Sequence, residues 1–160
     1  MKNIKIQKMV IFVLTFAISL CICNAFLKQH YSHDTYKIID VGYEAYAFTM
    51  FLREARPISA ILTMLANYIN LPINIYIVAS FVGATAILSI SVMILYFMFA
   101  KKIGEVSIGK KIVLFVICYI TIFSYLTIEH IYFLEACVMA LGILLSVLAS
   151  KTIVNSEKYG

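Results

Sequence analysis

The chain has 160 residues, of which 63% are hydrophobic or aromatic and only 13% are charged, and its mean hydropathy is +0.97. Soluble domains carry roughly 45–50% apolar and about 25% charged residues, so the composition excludes an ordinary soluble globule, a disordered chain and a coiled coil. The net charge of +5 does not indicate a nucleic-acid binder, because the lysines stand in short groups beside apolar runs. The sequence predicts an all-α, polytopic membrane helix bundle, a single membrane domain over residues 1–160.

Four apolar runs are long enough, or nearly so, to cross a bilayer, which takes about 20 helical residues. They cover residues 9–27, 75–100, 112–128 and 131–150. The first run follows a lysine-rich start, as the core of a signal peptide does. Because Cys23 is a poor residue three positions before a cleavage after Ala25, and because the run is long enough to span, we expect an uncleaved first helix.

The basic residues predict one orientation, since Lys and Arg concentrate on the cytoplasmic side of membrane proteins. With the N-terminus inside, the inner segments hold nine lysines and the outer segments hold four basic residues, Lys28, Lys37, Arg53 and Arg56. We therefore expect a multi-pass protein of the cytoplasmic (inner) membrane with both termini cytoplasmic. Residues 28–74 then form a large outer loop.

The outer loop, residues 28–74, is predicted to hold two helices that lie along the membrane surface. The first covers residues 38–53, where Tyr43 and Tyr46 belong to a set of tyrosines typical of membrane interfaces. The second covers residues 58–69. Together with the four spans, these helices complete the predicted architecture.

The second interfacial helix, residues 58–69, is apolar but too short for a span. Ser59, Thr63 and Asn67 form a single polar stripe along it, which is typical of a helix at an interface. Pro57 suits its first turn, where a missing N–H costs nothing. If this segment crossed the membrane, the lysine-rich loop that follows residue 100 would move outside, against the charge rule.

Asp34 lies in the outer loop, directly after His33. A carboxylate near an apolar interface has a raised pKa and can take a proton from a hydroxyl, so Asp34 is a candidate general base. The alternative is a solvated loop acid or a helix N-cap, because Asp34 precedes an apolar-periodic run.

Arg53 and Arg56 lie at the junction of the two interfacial helices. The planar guanidinium group of arginine can donate two parallel hydrogen bonds to phosphate oxygens, so both residues are candidates to hold a phosphate or diphosphate. The alternative is contact with lipid headgroups by snorkelling.

Three further polar residues lie near the outer ends of the last two spans. Glu129 and His130 form the expected turn between these spans and are candidates to bind an acceptor or a metal ion, the alternative being a plain polar turn. Glu135 is expected about one turn into the fourth span, where an ionisable group marks a functional site unless it reaches up to water. His33 and His130 lack the spacing of metal ligands.

The order of these features resembles the N-terminal part of the GT-C superfamily of polytopic glycosyltransferases, which use polyprenyl-phosphate-linked sugars. Residues 31–37 (YSHDTYK) resemble the first-loop motif, with Asp34 at the place of the catalytic acid. Residues 53–59 (REARPIS) resemble a Gly-Arg-Pro element of the bacterial glucosyltransferase branch that decorates surface polysaccharides, with Ala55 in place of the glycine. Glu129 stands where many members carry a second acid.

The resemblance implies an inverting hexosyltransferase in which Asp34 is catalytic. It implies substrate binding by His33, Arg53, Arg56, Glu129 and His130, with Glu135 as a further candidate. The expected partners are a polyprenyl-phosphate sugar donor, a glycan or lipid-linked acceptor and membrane lipids, with no nucleic acid. No cofactor is expected, and a divalent cation has no support in the sequence. Members of this superfamily usually have eight or more spans, so we expect the N-terminal part of a larger enzyme.

Two other functions remain open from the residues. A small four-span transporter or flippase of lipid-linked sugar would need a polar path through the bundle, centred on Glu135. A non-catalytic subunit of a membrane complex would instead offer a face of small residues, for which Gly83 and Ala84 are candidates.

Overall fold

The computed structural model describes residues 2–27, 32–104, 107–124 and 135–156. Within these ranges the chain has helices and no strands, which confirms the predicted all-α class. The helices are α1 (Lys2–Leu27), α2 (His33–Leu52), α3 (Pro57–Tyr68), α4 (Ile73–Ile103), α5 (Ile108–Ile122) and α6 (Ala136–Ser156).

Three of the described helices are long and apolar enough to cross a membrane, which indicates a membrane protein. The candidate spans are Ile4–Ile22, Ile73–Ile103 and Ala136–Val154. The predicted span at residues 112–128 is not found in the described part of the chain, where α5 has only 15 residues and ends because Phe123 leaves the helical conformation (φ −93°, ψ 53°).

The central helix of the bundle is α4, which packs against α1, α5 and α6. Its core residues Phe81, Leu88 and Val92 are buried among side chains of the neighbouring helices. The hydroxyls of Thr85 and Ser89 are buried too, but each donates to the carbonyl one turn earlier in α4, at 2.8 and 2.7 Å. These hydroxyls are therefore satisfied within their own helix.

The helices α4 and α6 pack tightly against each other at Gly83. A Cβ atom there would lie 2.7 Å from Cys137 Sγ, so only glycine fits without a shift. Cys137 Sγ in turn donates to the Ser80 carbonyl at 3.1 Å. The small residues Gly83 and Ala84 therefore serve a contact within this chain.

The helices α2 and α3 form a hairpin beside the bundle and pack together around Tyr46, Met50 and Ala60. The first of these helices differs from the prediction of a continuous helix over residues 38–53. It begins earlier, at His33, and it is interrupted at Gly42, whose φ of 82° and ψ of 164° break the helix. That conformation favours glycine, because a side chain is strained at positive φ.

Two of the three residues in the polar stripe of α3 face the protein, contrary to the expectation for a helix with water on its polar side. Ser59 and Thr63 are buried, whereas Asn67 is exposed, as are the apolar Ile61 and Met64. Pro57 lies in the first turn, as predicted. An apolar outer face with hydroxyls turned inward suits a helix that contacts lipid.

Candidate functional site

The strongest polar contact between distant parts of the chain joins the start of α3 to the start of α6. Arg56 Nη1 donates to Glu135 Oε2 at 2.8 Å. Local structure places both residues at helix N-termini, because the Arg56 carbonyl accepts the first helical bond of α3 from Ala60 N. The Glu135 carbonyl does the same for α6, accepting from Val138 N at 2.9 Å.

A row of ion pairs extends from this contact to the start of α2. Glu54 Oε2 lies 3.5 Å from Arg56 Nη1, and Glu54 Oε1 lies 4.0 Å from Lys37 Nζ. Lys37 Nζ is also 4.0 Å from Asp34 Oδ1, one helical turn away. We call Asp34, Lys37, Glu54, Arg56 and Glu135 the polar cluster. Its longer, more exposed pairs contribute little stability, so the Arg56–Glu135 pair is its anchor.

Glu135 is the most deeply buried member of the polar cluster, with 8% of its surface exposed. Burial raises the pKa of its carboxyl, and the positive charge and hydrogen bond of Arg56 oppose that rise. Ser59 lies close enough to lower this pKa slightly, yet within the described residues Glu135 Oε1 has no hydrogen-bond partner of good geometry. Glu135 in turn raises the pKa of Arg56, which keeps the guanidinium charged.

Tyr46 lies beneath the polar cluster and is only 2% exposed. Burial raises its pKa far above the ordinary value of 10.0, and the nearby carboxylates of Asp34, Glu135 and Glu54 raise it further. The phenol therefore stays protonated. In the described part of the chain its hydroxyl, like Glu135 Oε1, lacks a partner, although buried polar groups are normally hydrogen-bonded.

Asp34 lies in the first turn of α2 and its side chain is 16% exposed. It is not the helix cap, because the N-cap is Ser32, whose Oγ accepts from Thr35 N at 3.4 Å. The alternative interpretation of Asp34 as an N-cap is therefore wrong. Its carboxylate is free of that role and is partly exposed, 4.0 Å from Lys37 Nζ.

The other candidate residues are only partly brought together. His33 is exposed at the start of α2, and Arg53 is exposed with no ion pair to the described residues. Glu129 and His130 lie outside the described residues. Glu135 lies directly before α6, whereas the sequence predicted it about one turn inside the fourth span.

Lys37, Glu54 and Ser59 were not predicted as members or neighbours of this site. Tyr46 was predicted to lie at the membrane interface, whereas its side chain is buried. The spacing of Asp34 and Lys37, three residues apart on a helix, could have indicated their pairing. No described group of three His, Cys, Asp or Glu side chains could hold a metal ion.

In comparisons with known proteins, no protein family, no curated protein and no solved structure matches this chain. Its function must therefore be inferred from the chemistry of the polar cluster and its surroundings.

Proposed function

We propose that this chain is a membrane glycosyltransferase, or the N-terminal part of one. It transfers a hexose from a polyprenyl-phosphate donor to a glycan or lipid-linked acceptor at the outer face of the membrane. The observation that carries the proposal is the polar cluster, in which a partly exposed carboxylate, Asp34, shares a row of ion pairs with the exposed Arg56 and the buried Glu135. A transfer from a lipid phosphate needs both a base and a phosphate-binding cation.

In this reaction Asp34 takes the proton from the acceptor hydroxyl. The acceptor oxygen forms a bond to the anomeric carbon while the bond from that carbon to the phosphate oxygen breaks. Polyprenyl phosphate leaves with the electron pair, and one displacement inverts the anomeric configuration. Atoms and charges balance without a nucleotide or a redox cofactor.

Arg56 is the residue that would stabilise the charge of the leaving phosphate. The starts of α3 and α6 support this role, because Arg56 and Glu135 occupy those helix ends and helix N-termini favour anions. Arg53, the other arginine candidate, is exposed and stands outside the row of ion pairs. We therefore assign phosphate contact to Arg56 and treat Arg53 as its control.

The transporter alternative has less support. The middle of each of the three candidate spans carries no charged residue. The hydroxyls of Thr15, Thr85 and Ser89 in these helices donate to carbonyls of their own helix, so they do not form a polar path. The subunit alternative loses its main argument as well, because Gly83 already contacts Cys137 within the chain.

The test uses the full chain reconstituted in lipid vesicles with radiolabelled polyprenyl-phosphate hexoses and a lipid-linked glycan acceptor. Release of polyprenyl phosphate and transfer of label are measured for the wild type, for Asp34→Asn and for Asp40→Asn. Asp40 is an exposed acid on the same helix and is the matched control. Loss of a general base lowers the rate by about 10²–10⁴-fold, so we expect that loss for Asp34→Asn and a change below about twofold for Asp40→Asn.

Two results would contradict the proposal. One is an Asp34→Asn variant that transfers sugar at the wild-type rate. The other is a folded wild-type chain that neither transfers sugar nor binds any of the hexose donors.

A further inference from the structure

A second charged region lies at the end of the bundle opposite the polar cluster. The start of α1, the end of α4 and the end of α6 meet there around a cavity of about 590 Å³. Four lysines from these three helices line it: Lys8, Lys101, Lys102 and Lys151. We call this the lysine cavity. Residues 93–102 of α4 contribute to its lining, whereas Cys137, two residues after Glu135 of the polar cluster, contacts Ser80 nearer the start of the same helix.

The lysine cavity has an apolar wall on the side that leads toward the middle of the bundle. Ile94, Phe97 and Met98 of α4 form this wall. Lys8 Nζ lies 5.8 Å from the centre of the Phe97 ring, a cation–π distance that holds the ammonium group at the rim. The cavity therefore combines a basic mouth with an apolar lining, as an amphipathic ligand requires.

Three of these lysines, Lys8, Lys101 and Lys151, have no acidic partner among the described residues of the lining. Gln7 is the only uncharged polar side chain among those residues, and there is no carboxylate. Ammonium groups that lie around one cavity attract an anion. The polar cluster differs in this respect, since carboxylates there offset the cations.

We infer that the lysine cavity binds the phosphate headgroup of an anionic phospholipid, with the acyl chains lying along Ile94, Phe97 and Met98. Basic pockets between membrane helices are suited to such headgroups. The apolar wall favours a lipid over free phosphate, because a soluble anion would gain nothing from it. This site is independent of the glycosyl transfer proposed above.

The experiment uses the full chain in a neutral detergent and measures its thermal unfolding while lipid is added. Short-chain phosphatidylglycerol is compared with phosphatidylcholine of the same acyl length and with glycerophosphate, which has the phosphate but no chains. We expect phosphatidylglycerol to raise the unfolding temperature in a saturable way. The other two compounds should have little effect at equal concentration.

The pocket variant is the triple substitution Lys8→Gln, Lys101→Gln and Lys151→Gln. Each lysine near a lipid headgroup contributes about a fivefold change in affinity, so the triple variant should bind phosphatidylglycerol about 100-fold more weakly. Should it fail to fold, the single variant Lys151→Gln should still weaken binding about fivefold.

The matched control removes the same number of positive charges from the same end of the bundle, at residues that do not line the cavity. It is the triple substitution Lys5→Gln, Lys110→Gln and Lys111→Gln, at exposed positions of α1 and α5. It should retain the wild-type affinity, and Lys110→Gln is the control for the single variant. Equal loss in control and pocket variants, or equal stabilisation by phosphatidylcholine or glycerophosphate, would overturn the inference.

Discussion

Both ends of the helix bundle carry charged side chains, but one end has charges of both signs and the other has cations. The polar cluster contains three carboxylates and two cations joined by ion pairs. The lysine cavity has cations from three helices and no carboxylate in its described lining. Charges of mixed sign offset each other within the fold, whereas lysines from three helices around one cavity attract an anion. We propose chemistry on a bound substrate at the first end and lipid binding at the second.

The backbone shows the same contrast. Near the polar cluster Ala55 has a φ of 52°, between Glu54 and Arg56. At the opposite end Gly104, which has a φ of 77°, terminates α4. Glycine adopts a positive φ without strain, whereas for alanine this conformation costs about 1 kcal/mol or more. Strain of this kind concentrates at functional sites, and here it lies at the end that carries the polar cluster.

The largest effect on stability is expected from Arg56→Ala, which leaves Glu135 buried without its cation. Removing one partner of a buried ion pair costs about 3–5 kcal/mol. We expect about 2–3 kcal/mol here, because the Arg56 side chain is 49% exposed and Glu135 can take up a proton. Arg53→Ala should change the free energy of unfolding by less than about 0.5 kcal/mol. Chemical unfolding in detergent at pH 8 measures both, and equal effects would contradict the special role of Arg56.

The loss in Arg56→Ala should also depend on pH. Burial raises the pKa of Glu135 above its ordinary value of 4.5, so the folded chain keeps a proton that the unfolded chain releases. The resulting stability is fully present below pH 4.5 and is lost as the pH rises through the raised pKa. Without Arg56 that pKa rises further, so the variant should lose stability more steeply with increasing pH. Adding Glu135→Gln should remove the extra slope, and a slope that persists would refute this assignment.

A smaller effect, of opposite sign, is expected at Ala55. Ala55→Gly removes the backbone strain of an alanine with positive φ and should stabilise the fold by about 1 kcal/mol. Ala45→Gly, at an exposed helical position of α2, should instead destabilise it by about 0.5–1 kcal/mol. Thermal unfolding of the two variants separates the cases. A destabilising Ala55→Gly would show that no strain is stored beside the polar cluster.

The sequence predicted the features that depend on local pattern. The 26-residue apolar run at 75–100 predicted α4 within a few residues of each end, because length and hydropathy determine a buried helix. The first turn of α3 at Pro57 was also correct. The break at Gly42 was missed, since an isolated glycine within a helical pattern does not reveal its φ.

The polar cluster could be predicted only in part. The Arg56–Glu135 contact joins residues 79 positions apart, and no periodicity relates them. It depends on where α6 begins relative to α3, and the described contacts at that end of α6 are those of Cys137 with Ser80 and Gly83 of α4. For the same reason the burial of Tyr46 was not foreseen, because composition cannot distinguish an interfacial tyrosine from one beneath a polar cluster.

We propose that the polar cluster and the lysine cavity face opposite sides of a membrane, with the polar cluster outside. The most direct test places single cysteines at Asp40 or Lys110, both exposed, in a chain whose native cysteines are replaced by alanine. Intact cells are then treated with a maleimide that cannot cross membranes. We expect labelling of the Asp40→Cys chain on intact cells and of the Lys110→Cys chain only after permeabilisation. The reverse pattern, or labelling of both on intact cells, would contradict the account.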